Sequence, residues 1–224
     1  MSSEKVTLYK YVSMNYLIDT IDKGRLYLSD GTNFNDPFEI TITDKTKHKT
    51  EHIPGLHILS LTNSYRNKLI WSHYSDSHKG VCLTLKVPKE YVYPICYTSK
   101  RVYKDGDIDE IISTSKRVCK NNLNNNFSSL SKNKKIAYIK DKKWDYEKEY
   151  RIVFDQNDED KIIREGDECY FPVKITNIYF GVNFDKNDKK KKEEILEICK
   201  RKKIKMTYME LSKTNYALNV NKNT

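Results

Sequence analysis

A chain of 224 residues with 38% hydrophobic and 32% charged residues holds enough apolar material for one sizeable core. No apolar run approaches the ~20 residues that span a bilayer, and residues 1–5 lack an apolar signal core, which predicts a soluble, cytoplasmic protein and excludes a membrane partner. The formal net charge of +10 suits an anionic partner, a nucleotide or a nucleic acid.

Residues 6–11 alternate and are rich in β-formers, so they read as a strand, followed by a helix over 15–23 that stops at Gly24. A second strand is expected at 25–29. The stretch 30–39 holds Gly31, Asn33, Asn35 and Asp36-Pro37 and reads as a turn-rich binding loop. Residues 43–53 are polar and read as a surface excursion. Strands are expected at 57–62, 80–87 and 91–97, with a short helix or turn over 67–74. The span 107–138 reads as helical, interrupted by an Asn/Ser tract over 121–131. Strands at 150–155, 169–173 and 177–182 precede a helix over 188–203 and a last strand over 205–210. On that helix Ile195, Leu196, Cys199 and Ile204 form an apolar stripe, and the lysines of 189–192 and 200–205 form its solvated face rather than a dedicated nucleic-acid site.

No repeat and no Pro- or Gly-rich linker divides the chain, and strands and helices do not alternate strictly. The expectation is one α+β domain over 1–224 with a mixed or antiparallel central sheet flanked by helices. Cys82, Cys96, Cys119, Cys169 and Cys199 are odd in number and scattered, without a Cys-x-x-Cys pair. Reduced structural thiols are expected, with neither a zinc site nor a disulfide framework.

The densest chemistry lies in Trp71-Ser72-His73-Tyr74-Ser75-Asp76-Ser77-His78-Lys79-Gly80. Stacking faces and oriented donors gathered before a strand suit a ligand pocket, and they suit a helix end with solvated histidines nearly as well. Two further segments accompany it: Asn33-Phe34-Asn35-Asp36-Pro37-Phe38-Glu39, and Lys143-Trp144-Asp145-Tyr146-Glu147-Lys148-Glu149-Tyr150-Arg151. With Leu8-Tyr9-Lys10-Tyr11, the set resembles the bacterial family known as domain of unknown function 2971 (DUF2971). The resemblance runs over about 6–182, with the helix and strand of 185–211 outside it. One departure is that the family often has Lys-Tyr-Arg where this chain has Lys10-Tyr11-Val12. Membership in that family implies no particular activity.

The opening strand–helix–strand is also similar, at the level of pattern, to the N-terminus of ADP-ribosyltransferase folds, the DNA-modifying toxins above all. That resemblance implies an ADP-ribosyltransferase-like sheet and NAD as substrate, held by the first strand and the loop after the next helix. It also implies a glutamate on a later strand, a shape that Glu149-Tyr150-Arg151-Ile152-Val153-Phe154 has. Breaking the nicotinamide–ribose bond builds oxocarbenium character, which a carboxylate stabilises. Glu149 is the candidate, with Glu147 on the same side if both lie in one extended strand, and His73 as a further catalytic group. The alternative for the two glutamates is charge pairing at a strand start. Tyr11, Trp71 and Tyr74 are candidates to stack on nicotinamide or adenine, and His78 to bond a ribose hydroxyl or the pyrophosphate. Lys10 and Arg151 are candidates for phosphate, and Asn35 and Asp36 for the binding loop; Asp36 before Pro37 equally suits a self-bonded turn. The acceptor would be a nucleic acid or a protein, and the setting a toxin or a defence system.

Two other readings compete. A metal-dependent nuclease would use His73, His78, Asp36 and Glu147 or Glu149, but histidines five apart share neither a helical nor a strand face, so no metal is expected. A non-catalytic nucleotide-sensing module keeps the pocket and needs no catalytic carboxylate. Gly-x-Gly-x-x-Gly, phosphate-loop and Gly-x-Ser-x-Gly motifs are absent, which removes dehydrogenase, P-loop and serine-hydrolase readings.

Overall fold

The computed structural model describes residues 4–44, 46, 49–103, 105–115 and 125–221. In chain order they form β1 (Lys5–Val12), α1 (Met14–Lys23), β2 (Arg25–Tyr27), β3 (Ser29–Asp30), β4 (Thr41–Asp44), β5 (Lys49–His52) and β6 (His57–Thr62). There follow α2 (Lys68–Tyr74), β7 (Val81–Pro88), β8 (Tyr93–Pro94), β9 (Cys96–Thr98) and the helical segments Asp105–Thr114, Asn125–Ser128 and Lys132–Ile136. The chain ends with β10 (Ile139–Asp141), β11 (Glu149–Phe154), β12 (Ile163–Glu165), β13 (Glu168–Pro172), β14 (Lys174–Phe180), the C-terminal helix Lys189–Arg201, β15 (Lys205–Leu211) and β16 (Leu218–Val220).

The protein is α+β, and its residues gather into two compact units interleaved along the chain. The first takes Tyr27–Ser60 and Pro88–Phe171. The second takes Lys5–Leu26, Leu61–Val87 and the chain from Pro172.

In the second unit the strands run in the order β16-β15-β14-β7-β1. The β14–β15 pair is parallel, and β14–β7 and β15–β16 are antiparallel, so the sheet is mixed. Its strands show the period-2 signature of two different faces. Leu8, Leu83, Leu85, Ile178 and Phe180 lie on one face and are fully buried. α1 and the C-terminal helix pack on each other and bury Leu17, Ile21, Ile195, Ile198 and Cys199. Ile198 belongs to the buried stripe in place of the expected Leu196, which is half-buried. The other face carries a smaller core of Tyr11, Ile70, Trp71, Cys82, Met209 and Leu218.

α1 begins without a side-chain cap from Ser13. The Asp76 Oδ2 accepts from the Met14 N–H at 3.0 Å and supplies the missing partner. The helix ends where expected: Gly24 turns left-handed at φ +66° and its N–H bonds the Thr20 carbonyl.

In the first unit β11 lies between β6 and β8, and β3 pairs with β6. The surface excursion expected over 43–53 is built as an antiparallel hairpin, in which β4 pairs with the fully exposed β5, whose polar sequence carries no strand signal. The expected strand 91–97 is split into β8 and β9, and β9 pairs in parallel with the unforeseen three-residue β10. The core includes Ile40, Ile58, Ile95, Ile108, Ile136 and Val153. Tyr93, Phe127 and Tyr138 join it edge to face, with centroids 5.0–5.7 Å apart. Of the helical span expected over 107–138, Asp105–Thr114 and Lys132–Ile136 are helical, but a short helix, Asn125–Ser128, falls inside the expected interruption, and 116–124, with Cys119, lie outside the described residues. Cys82, Cys96, Cys169 and Cys199 are buried thiols.

Candidate functional site

The loop before β4 ends in a turn that Asp36 builds for itself. Its Oδ1 accepts from the Phe38 N–H at 2.9 Å, and its carbonyl accepts from the Glu39 N–H at 3.1 Å. The next residue, Ile40, is buried with φ +56°, a left-handed backbone that a β-branched residue adopts only when its surroundings hold it there. The turn points Glu39 inward, where it is 2% exposed.

Glu39 joins a cluster of four other buried charged residues, meeting Lys140 from β10 and Arg151 from β11, which in turn hold Glu147 and Glu149. Lys140 Nζ lies 3.0 Å from Glu39 Oε1, 2.7 Å from Glu147 Oε2 and 3.1 Å from Glu149 Oε2. The Arg151 Nε and Nη2 donate to the two oxygens of Glu149 at 2.6 and 3.0 Å. Nη2 also donates to Glu39, and Nη1 donates to the Ala137 carbonyl at 2.7 Å. Aromatic faces close the cluster: Phe34 lies 4.8 Å from the guanidinium carbon and Trp144 5.0 Å from the ammonium. Lys140–Glu39 is an ion pair whose angle is poor for a hydrogen bond, so Glu39 Oε1 is buried without one.

Glu147 and Glu149 do converge, by a route different from the one expected. Glu147 ends a 3-10 segment, Lys142–Glu147, and Lys148 turns left-handed at φ +48° before Glu149 opens β11. A left-handed residue between them, rather than one extended strand, brings both carboxylates to Lys140. The Glu149 N–H donates to the Tyr97 hydroxyl at 2.8 Å.

Burial alone pushes the Glu149 carboxyl up, but the Arg151 guanidinium and the Lys140 ammonium outweigh it and hold the group well below the usual carboxylate range. Burial likewise pulls Lys140 down, and Glu149, Glu39 and Glu147 more than reverse it. A carboxylate so strongly held as an anion, with both oxygens bonded, is a poor proton acceptor.

A cleft of about 150 Å³ opens beside this cluster. Of the five charged groups, only Glu39 and Lys140 line it. Ile40, Val102, Ile136 and Ile139 supply an apolar lining, and Asp36, Thr98, Lys100 and Arg101 add polar groups. The Arg101 guanidinium lies 4.5 Å from the ring centre of exposed Phe38. Asn35 is exposed on the same loop.

The remaining expected site residues sit in the second unit. Tyr11 and Trp71 are buried and meet edge to face at 5.1 Å. Their polar tips are satisfied by backbone: the Tyr11 hydroxyl donates to the Ser64 carbonyl at 3.0 Å and the Trp71 indole N–H to that of Tyr65 at 2.8 Å. His78 stacks parallel to Trp71 at 6.0 Å, and burial lowers its pKa. Tyr74 is half-buried against this group, His73 is exposed beside Tyr74, and Lys10 is half-buried on β1. These contacts stitch the unit together: Ser75 Oγ donates to the Trp71 carbonyl, and Asn183 N–H to that of His78.

Of the site candidates singled out in the sequence, Glu147, Glu149 and Arg151 meet in this cluster and Asp36 lines the cleft beside it, whereas Glu39, Lys140 and Arg101 were not among them. Glu39 stood inside a segment already singled out. Lys140 and Arg101 had no local signal among so many basic residues. Among the described residues no group of three or more His, Cys, Asp or Glu side chains is placed to hold a metal ion. No helix among them is long and apolar enough to cross a membrane.

A family model described as a protein of unknown function, DUF2971, matches residues 70–152. The match contains the Trp71–Gly80 and Lys143–Arg151 segments and is narrower than the resemblance read from the motifs. No curated protein matches the chain, and no solved structure does.

Proposed function

We propose that this chain, which belongs to the DUF2971 family through residues 70–152, is a nucleotide-binding module that takes an adenine nucleotide into the cleft over Glu39 and Lys140. The observation that carries the reading is the bonding of Glu149, whose two oxygens are held by Arg151 and Lys140, away from the cleft. The cleft offers what a nucleotide needs. Apolar residues line it, Asp36 and Glu39 accept from hydroxyl or amino groups, and Lys100 and Arg101 meet phosphate. At about 150 Å³ it holds one part of a nucleotide, the rest lying across Phe38 and Arg101.

A second reading, ADP-ribosyl transfer from NAD, is favoured by the element order β1–α1–β2 and by a glutamate opening β11. It requires Glu149 to leave its two cations before it acts on a ribose.

Calorimetry and thermal shift with NAD, ADP-ribose and ATP, run beside an assay for released nicotinamide, separate the two. The binding reading expects a saturable shift without turnover, weakened at least about tenfold by Arg101→Ala. Nicotinamide release by the wild type, abolished by Glu149→Gln in a folded protein, establishes the transferase instead. No shift with any of the three nucleotides together with no release of nicotinamide overturns both.

A further inference from the structure

The open part of one sheet face in the second unit carries a pattern that its own packing does not need. Strand alternation places Lys5, Thr7, Tyr9 and Tyr11 of β1 on one face. Cys82, Thr84 and Lys86 of β7 share it, because Lys86 Nζ donates to Thr7 Oγ1 at 2.6 Å. The ladder registers add β14 and β15: Tyr179 lies opposite Cys82 and Thr207, Asn177 opposite Thr84 and Lys205, and Lys174 opposite Lys86. A bulge at Thr176 keeps Lys174 on this face. The end of the face near Tyr11 is covered by Ile70 and Trp71. The other end is open, and Lys5, Lys86, Lys174 and Lys205 are all exposed there.

Lys86 and Lys174 stand directly across an antiparallel ladder, where like charges destabilise a sheet. At the border of the open area lies a group of half-buried tyrosines. Tyr65 and Tyr179 stack at 4.1 Å with planes 4° apart, and Tyr9 leans on both at 5.4 and 6.4 Å. The Arg66 guanidinium continues the stack, 5.1 Å from the Tyr65 ring centre.

We infer that this face binds single-stranded nucleic acid, its phosphates running over Lys86, Lys174 and Lys205 and a base stacking at the Tyr65–Tyr179 pair. The occupant follows from charge and shape together. A row of exposed ammonium groups on a sheet face matches a polyanion, and an aromatic stack beside it matches unpaired bases. A duplex offers the same charge but keeps its bases stacked on each other. The face is distinct from the cleft in the first unit and does not depend on a nucleotide binding there.

The test is fluorescence anisotropy with a labelled oligouridine of roughly twelve nucleotides, a length within the site sizes of single-strand binders, across a salt series. Wild type is expected to bind, with log affinity falling linearly against log salt at about 0.7 per phosphate neutralised. Lys86→Gln/Lys174→Gln/Lys205→Gln is expected to lose at least about tenfold in affinity and roughly two units of that slope. Tyr65→Leu is expected to weaken binding without changing the slope, and a duplex of equal length to bind more weakly. Lys189→Gln/Lys190→Gln on the exposed part of the C-terminal helix is expected to leave affinity unchanged. Circular dichroism confirms that each variant is folded; the altered lysines are exposed and in no core. The inference is overturned if wild type does not bind at low salt, if the sheet variants bind as wild type does, or if the helix variant alone abolishes binding. Equal binding of duplex with Tyr65→Leu silent also overturns it.

Discussion

Arg151 and Glu149 lie two positions apart on one strand and are joined by two side-chain hydrogen bonds, of 2.6 and 3.0 Å, with both side chains buried. The spacing is what a strand requires for two side chains to share a face. The same guanidinium spans Glu39 and the Ala137 carbonyl, so one residue ties together the loop before β4, the segment before β10 and β11. Burying charges is costly, and such a cluster persists only when each member is paired. It follows that the first unit's candidate site and its stability rest on the same five residues.

Removing the guanidinium leaves three carboxylates, Glu39, Glu147 and Glu149, buried beside the single ammonium of Lys140. Arg151→Leu is therefore expected to lower the unfolding free energy by about 3–5 kcal/mol, the range for breaking a buried ion pair by deleting one partner. Arg151→Lys should recover only a minor part, because a single ammonium cannot aim donors at Glu149, Glu39 and Ala137 at once. Urea denaturation of the three proteins decides it. Equal stability of the lysine variant and wild type would show that charge alone matters there.

Acid should weaken the cluster through Glu149. Its folded pKa lies below the ordinary 4.5 because, against the upward push of burial, Arg151 and Lys140 favour the anion. A depressed folded value means stability that is fully present above the unfolded pKa and is lost as pH falls through the folded one. Between about pH 5 and about pH 3, wild type should lose more unfolding free energy than Glu149→Gln, which has no proton to bind at that position. Parallel stability curves for the two proteins would contradict the assignment.

Asp76, which the sequence placed in a ligand-like stretch, has a structural task that can be measured alone. Its carboxylate accepts from the Met14 N–H, the first of α1, whose own Ser13 makes no side-chain cap. Asp76→Ala should cost about 1 kcal/mol, the usual price of a lost cap, and Asp76→Asn much less, since an amide oxygen serves as acceptor and asparagine tolerates its φ of +48°. Thermal unfolding of the pair gives the answer. Equal loss in both variants would show that the charge, rather than the hydrogen bond, does the capping.

How much was legible follows from what each element needs to announce itself. β1, α1, β6, β7 and the C-terminal helix were readable because their apolar periods match their burial, and Gly24 marked a helix end by its left-handed turn. The β4–β5 hairpin was missed because β5, Lys49–His52, is exposed along its whole length and has no apolar alternation. β10 and β16 are three residues each, too short for any period to show. In the site, Glu147, Glu149 and Arg151 were visible as a dense charged segment. Their partners Glu39 and Lys140 come from more than a hundred residues upstream and from a separate strand, and no local spacing reports such a meeting. The aromatic candidates Tyr11 and Trp71 were read as ligand faces because buried and ligand-facing rings look alike in sequence; only the geometry shows their polar tips bonded to backbone carbonyls.

The left-handed run Asp76, Ser77, His78 makes a last prediction, about a glycine far away in sequence. A Cβ placed at Gly181 would lie 2.1 Å from the His78 carbonyl oxygen and 2.7 Å from its carbon, both backbone atoms that cannot rotate aside. The His78 carbonyl also accepts from the Asn183 N–H at 3.1 Å, so moving it breaks a bond on the far side as well. Gly181→Ala should therefore destabilise the protein by about 1–3 kcal/mol or more, the scale of overpacking against a fixed wall. Gly55, where a Cβ meets nothing within 4 Å, provides the control for the backbone term alone, since its φ is +73°. Gly55→Ala should cost about 1 kcal/mol, the left-handed penalty without the clash. Chemical denaturation of both variants tests the difference: a Gly181→Ala protein no less stable than Gly55→Ala would mean that the His78 turn yields easily, and that its run of left-handed residues is not fixed by this contact.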